Sequence, residues 1–339
     1  MFERIFKLSE HKTTVKTEVM AGITTFMTMA YILAVNPSVL GSTGMDTTAV
    51  LLATALASCL GTLCMAFMAN LPFALSAGMG LNAFMAYTVV AGYGYSWQVA
   101  LLAVFIEGLI FIVLSLTNVR EAIFNAIPLT IKKGVSVGIG LFIAFIGLQN
   151  SGLCVDSATL VGIISFPENF HTAGICALLT LIGLFFTAVF YTRKMKGAIL
   201  YGILLTWILG MLCQVTGLYV PTPDAGFYSL FPSWGMTDFS KLGLTFGQCF
   251  NVDFSAVGIV NFIVVIFSFL FVDIFDTLGT LIGVATKAKM LDKDGKLPGI
   301  KPALLADSIA TSAGAILGTS TTTTFVESAS GVAVGGRTG

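Results

Sequence analysis

The chain has 339 residues, 56% hydrophobic and only 10% charged, and its 17 basic side chains balance 17 acidic ones. Soluble domains carry about 25% charged residues, so a soluble enzyme, a disordered chain and a secreted disulfide scaffold are excluded. Zero net charge also leaves no basic face for nucleic acid, and no nucleic-acid partner is expected.

A helix needs about 20 mostly apolar residues to cross a bilayer. Ten candidates follow along the chain: 17–36, 47–69, 72–90, 97–117, 134–150, 173–192, 197–219, 257–284, 302–318 and 319–338. The first 18 residues are charged and hold no apolar run, so no signal peptide is expected. The third span contains SAGMGLN, Ser76 to Asn82, and the tenth reads TSTTTTFVESASGVAVGG from Thr319. Irregular backbone of this kind survives in a membrane only when protein buries it or it lines a cavity.

The positive-inside rule sets the orientation. A cytoplasmic N-terminus puts Arg4, Lys7, Lys12 and Lys16 inside, then Arg120, Lys132 and Lys133, then Arg193, Lys194 and Lys196. Lys287, Lys289, Lys293, Lys296, Lys301 and Arg337 join them, and Lys241 alone falls outside. A miscounted span would invert the later loops, so the bias supports both weak spans as crossings.

Residues 51–63 (LLATALASCLGTL) and 304–316 (LLADSIATSAGAI) share five identities at an offset of 253. Each is followed by a broken segment, Ser76-Ala77-Gly78 in one and Ser328-Ala329-Ser330 in the other. A first copy of seven spans makes the second copy inverted, and paired broken segments in inverted halves point to a transporter's binding site. A full second copy would end near residue 473, 253 past a first copy ending near 220, so about four helices are expected to be absent.

Five acids lie within the spans: Glu107, Asp273, Asp276, Asp307 and Glu327. At about 2.5–3.5 kcal/mol each they would cost roughly 12–17 kcal/mol unprotected, so they must be protonated, hydrated or hydrogen-bonded. A group that gains and loses a proton there can carry one across. In FVDIFDTLGT, Asp273, Asp276, Thr277 and Thr280 share one helix face, a polar stripe suited to a cavity. Glu327, beside Ser328 and Ser330, can accept an N–H from a flat heterocycle, or hold its broken segment together. The Asn82 amide can grip a base edge with a donor and an acceptor, or cap a helix. Glu107 is a relay candidate or a structural acid, and Asp307 reads as interfacial or helix-capping. Six cysteines without a CxxC pair and two histidines give no metal site, and none is expected.

The strings AGITTFMTMAYILAVNP, SAGMGLNAFMAY, FVDIFDTLGTLIG and TSTTTTFVESASGVAVGGRTG resemble the AzgA-like adenine/guanine/hypoxanthine permeases, a branch of the nucleobase:cation symporters related to xanthine and uracil permeases. The resemblance covers essentially the whole chain. It implies an all-α polytopic membrane protein of two inverted seven-helix repeats, the second incomplete, with short strands in broken spans three and ten. The implied organisation is a cytoplasmic N-terminus (1–16), core-domain spans one to four (17–117), gate-domain spans five to seven (118–220), an extracellular loop (221–256) and core-domain spans eight to ten (257–339). It further implies a cell-membrane importer of purine nucleobases with protons, no cofactor beyond the coupling proton, and a homodimer when full length. Asn82, Asp273 and Glu327 would contact the purine, with Thr277 and Ser328 beside them. Asp276 and Glu107 would handle the proton. Two other readings compete: an anion transporter or channel of the same architecture, and a membrane-embedded enzyme using an acid pair. No HExxH or His/Cys cluster supports the enzyme.

Overall fold

The computed structural model describes residues 2–339 apart from 118, 120, 121, 123–125, 127, 158, 159, 194, 196, 197, 224, 225, 233, 234, 236, 255, 256 and 294–296. Arg120, Lys194, Lys196 and Lys296 of the orientation count, and the side chains of Lys132 and Lys133, lie outside the described residues.

The Thr14 hydroxyl accepts from the Thr17 N–H and starts α1 (Val15–Met29). After Ala30 and Tyr31 the same span continues as α2 (Ile32–Gly41). The Asp46 carboxylate accepts from the Ala49 N–H at 2.9 Å and caps α3 (Thr47–Cys64). That bond, with the Lys241 ammonium 3.4 Å away, holds the Asp46 carboxyl below the usual carboxylate range. Wider π-type turns extend α3 to Ala69. Strand β1 (Leu75–Ala77) leads into α4 (Met79–Ala83), whose π-type continuation ends at Gly92. Ser96 caps α5 (Trp97–Leu116). Then come α6 (Leu129–Asn150), the hairpin β2 (Cys154–Ser157) and β3 (Leu160–Ile163), α7 (Ile175–Thr192) and α8 (Ala198–Val215). The chain closes with α9 (Ile259–Ala288), α10 (Ile300–Leu317), β4 (Thr322–Thr324) and α11 (Ser328–Val334).

Six helical spans among the described residues are long and apolar enough to cross a membrane: Val15–Gly41, Thr47–Ala69, Trp97–Leu116, Phe166–Thr192, Ile259–Ala288 and Ile300–Leu317. Spans three and ten are strand followed by short helix, as expected. Their strands pair antiparallel, with Leu75 opposite Thr324, Ser76 opposite Thr323 and Ala77 opposite Thr322. Bonds from the Gly78 N–H to the Thr321 carbonyl and from the Phe325 N–H to the Ala74 carbonyl lengthen the ladder at both ends. In a bilayer no water would satisfy these groups, so each broken span supplies the other's partners.

The chain divides into two compact units. One comprises Met1–Val137 with Thr237–Gly339. Among the described residues its core has three clusters: one joins Phe111 of α5 to Phe269 of α9, another joins Phe73 and Leu75 to Leu281 of α9 and Leu304 of α10, and a small third joins Met29 and Ile32 to Ala74 and Phe325. The other unit is Gly138–Met236. There α7 and α8 pack through small residues, with Gly183 against Thr206 and Gly202 against Thr187. Small residues let membrane helices approach closely.

The internal repeat is visible in the packing. A Cβ on Gly61 would lie 2.8 Å from the Ala310 Cβ and 3.2 Å from the Leu75 Cβ. Its counterpart Gly314 faces Thr322, where a Cβ would lie 2.6 Å from the hydroxyl. Each glycine thus lies against the first residue of the strand that follows it. The pairing of Ser76-Ala77-Gly78 with Ser328-Ala329-Ser330 needs correction: the counterpart of β1 is Thr322–Thr324, and Ser328 opens the helix beyond it. The slip arises because α3 runs on to Ala69, whereas α10 stops at Leu317, closed by Gly318 at φ +100°.

Gly61→Val is expected to cost about 1–3 kcal/mol by overpacking α3 against α10, read as a lower melting temperature of the purified protein. Gly22→Ala, with no atom within 4 Å of the new Cβ, should melt with the unsubstituted chain. Equal melting of the two variants would contradict the close approach.

Candidate functional site

The polar stripe of α9 faces the paired strands. Asp273, Thr277 and Thr280 are buried, and Asp276 is half-buried. The Thr277 hydroxyl lies 3.0 Å from Asp273 Oδ1, 3.3 Å from Asp307 Oδ2 and 2.8 Å from the Thr323 hydroxyl. Asp276 lies over the bare Cα of Gly78, where a Cβ would come 3.3 Å from Asp276 Oδ2 and 2.9 Å from Thr323 Cγ2. Glycine at this junction lets the acid and the strand close onto the start of α4.

The residues ahead of and within β4 reach outward in turn. The Ser320 hydroxyl donates to Asn82 Oδ1, and the Thr321 hydroxyl donates to Glu107 Oε2 at 2.9 Å. Asn82 is buried one turn beyond Gly78, and its Nδ2 has no hydrogen-bond partner among the described residues. An unmet buried donor is costly, of order 1–3 kcal/mol.

Glu327 makes its hydrogen bond to span one. Its Oε1 accepts from the Tyr31 hydroxyl at 2.6 Å. Ser328 is buried, and its hydroxyl oxygen accepts from the Ala74 N–H at 3.0 Å, leaving its own proton free to donate. Of the seven candidates, Asp276 lies against Gly78, Thr277 bonds Thr323, and Asp273 joins them through Thr277. Asn82 and Glu107 join them through Ser320 and Thr321. Glu327 and Ser328 anchor the far end of the broken span, to span one and to Ala74.

The interfacial reading of Asp307 needs correction. It is the eighth residue of α10, fully buried, and bonded to Thr277. Sequence reasoning also missed Tyr31 and Thr321 as partners of Glu327 and Glu107, and Ser320 and Thr323 as partners of Asn82 and Thr277. Only Tyr31 and the threonine run were legible as polar groups in apolar surroundings. Among the described residues no cluster of His, Cys, Asp and Glu could hold a metal ion. A cavity of about 420 Å³ between α1, α2 and α3 is lined by Phe26, Leu33, Ser58, Cys59 and Leu63, and by none of the seven candidates.

The permease family model, that of the xanthine and uracil permeases, matches residues 16–339. The chain is 42% identical to the adenine permease AdeP of Escherichia coli strain K12, over 100% of this chain and 71% of that one. It is 44% identical to the guanine/hypoxanthine permease PbuO of Bacillus subtilis strain 168, over 99% of this chain and 74% of that one. In solved structures it is similar in fold to the transmembrane domain of the cyanobacterial bicarbonate transporter BicA, with a TM-score of 0.58 at 14% identity, covering 96% of this chain and 78% of that one.

Thr277→Val deletes the hydroxyl that joins two carboxyls to β4, and about 1–3 kcal/mol of stability should go with it. Thr277→Ser keeps the hydroxyl and should retain most of it. Thermal melting of both variants checks this, and a valine variant as stable as the serine one would show the hydroxyl to be idle.

Proposed function

The chain belongs to this permease family and is a multi-pass membrane transporter rather than an enzyme, and on that premise we propose that it imports purine nucleobases together with protons. The observation that carries the reading is a pair of polar groups, one on each broken span: the buried Asn82 Nδ2, without a partner among the described residues, and the half-buried Glu327 carboxylate. A purine presents N–H donors beside ring nitrogen or carbonyl acceptors. Glu327 accepts a purine N–H, and the Asn82 amide donates to an acceptor on the base. Asp273 and Thr277 form the wall contributed by α9, and the Ser328 hydroxyl donates its remaining proton. The names of the adenine and the guanine/hypoxanthine relatives support the substrate class.

Asp276 is the coupling group in this reading, because it is half-buried and rests on Gly78, where the first strand becomes a helix. A proton on Asp276 neutralises the acid face as the base loads. Glu107, bonded to Thr321 of the second broken span, relays it. No cofactor beyond the coupling proton is required. The core (17–117 and 257–339) moves against the gate (118–220), the N-terminus is cytoplasmic, and the working form is a homodimer through the gate.

Uptake of labelled hypoxanthine by cells lacking their own purine permeases is the direct test. Adenine and guanine should compete, and uracil and sulfate should not. Sulfate or bicarbonate uptake with no purine uptake would replace this reading with the anion one.

Asp276→Asn should abolish accumulation driven by a proton gradient while sparing exchange of labelled for unlabelled base, because an amide cannot release a proton. Accumulation against a gradient by that variant would remove Asp276 from the coupling step.

A further inference from the structure

The hydroxyl of Tyr31 donates to Glu327 Oε1 at 2.6 Å, across 296 residues of sequence. Hydrogen bonds to a carboxylate are short and strong. Glu327 needs an external hold. It stands at the N-cap position of α11, yet its side chain makes no capping bond there. The tyrosine is itself well placed. It sits at the interruption between α1 and α2, and it packs against a cluster that includes Met29, Ile32, Ala74 and Phe325. Phe325 is two residues before Glu327, so ring and carboxylate share one packed neighbourhood. The same span is tied to α11 a second time, by the Thr28 and Ser330 hydroxyls at 2.8 Å. It also lies close against α11 where Gly331 meets Thr25 and Ala21.

We infer that Tyr31 is a positioning residue for recognition: its phenol occupies Oε1 of Glu327 and so presents Oε2 to an N–H of the base. This rests on the reading of Glu327 as the acceptor of a purine N–H. A glutamate has three rotatable side-chain bonds, and freezing them before the ligand arrives removes that ordering cost from binding. Tyr31 thereby sets affinity without touching the ligand, and it ties that affinity to the interruption in span one.

The test is a double-mutant cycle on the full chain, using Tyr31→Phe, Glu327→Gln and the pair, read by labelled hypoxanthine binding and by the KM and maximal rate of uptake. Tyr31→Phe is expected to raise the dissociation constant and KM about tenfold, as for loss of one hydrogen bond to a charged group, with the maximal rate held. The double variant should bind no more weakly than Glu327→Gln alone. Thr28→Ala, which cuts the other hydroxyl tie to α11, should lower the melting temperature and leave KM unchanged. Independent, multiplicative losses in the double variant would overturn the inference while leaving Glu327 in its role. So would a Tyr31→Phe variant of ordinary affinity, or a Thr28→Ala variant with the same rise in KM. A Glu327→Gln variant with unchanged binding would overturn the underlying reading, and this inference with it. If Tyr31→Phe fails to reach the membrane, Tyr31→His carries the same cycle: its loss should vanish in the Glu327→Gln background, and persistence would overturn the proposal.

Discussion

Residues 319–324 are the part on which the first unit depends. All six are buried, and a strand in an apolar setting has backbone groups that only protein can satisfy. β1 supplies the backbone partners. Four of the side chains and one further carbonyl then bind the surrounding helices. The Thr319 hydroxyl accepts from Asn36 of α2 at 2.8 Å, Ser320 reaches Asn82 of α4, and Thr321 reaches Glu107 of α5. The Thr322 carbonyl accepts from Thr311 of α10, and Thr323 meets Thr277 of α9. A run of short hydroxyl side chains suits this place because each can donate and accept in little volume. Longer side chains would hold the helices apart.

This arrangement explains why the repeat-related glycines are where they are. A strand pair flanked by α3 and α10 must lie very close to both helices, and Gly61 and Gly314 each make room for the residue that opens a strand. The two copies agree in this constraint while differing in the length of the connection between helix and strand. The conserved quantity within the chain is therefore a contact, and sequence spacing follows it only as far as Leu317.

Much of this was legible in the sequence. Broken spans three and ten stood out because Ser, Thr and Gly interrupt apolar runs there, and a membrane makes such interruptions costly. The acidic face of α9 was legible for the same reason, since Asp273 and Thr277 repeat at helical spacing among Phe, Ile and Leu. Meetings between distant residues were not. Asp307 lies near the start of its span, so pattern alone placed it at an interface. Its role as a partner of Thr277 depends on how α9 crosses α10. Tyr31 is one of eight tyrosines, and nothing local marks it as the partner of an acid 296 residues away. The alignment of Ser76 with Ser328 failed because the first helix runs five residues further through the apolar stretch Met65–Ala69, and nothing in that stretch marks where the helix ends.

The hydroxyl of Thr277 links these observations to function. It has one proton and three oxygen neighbours, on Asp273, Asp307 and Thr323. It can donate to only one carboxyl at a time, so the other must hold its own proton or find another donor. Thr323 is the neighbour it acts on in β4, directly opposite Ser76 in the paired strands. Asp276 approaches from the next face, and both it and Thr323 lie against Gly78. The acids, the strand pair and the start of α4 thus form one connected set of hydrogen bonds and contacts. Charge on the α9 stripe and the geometry of the broken spans cannot vary independently.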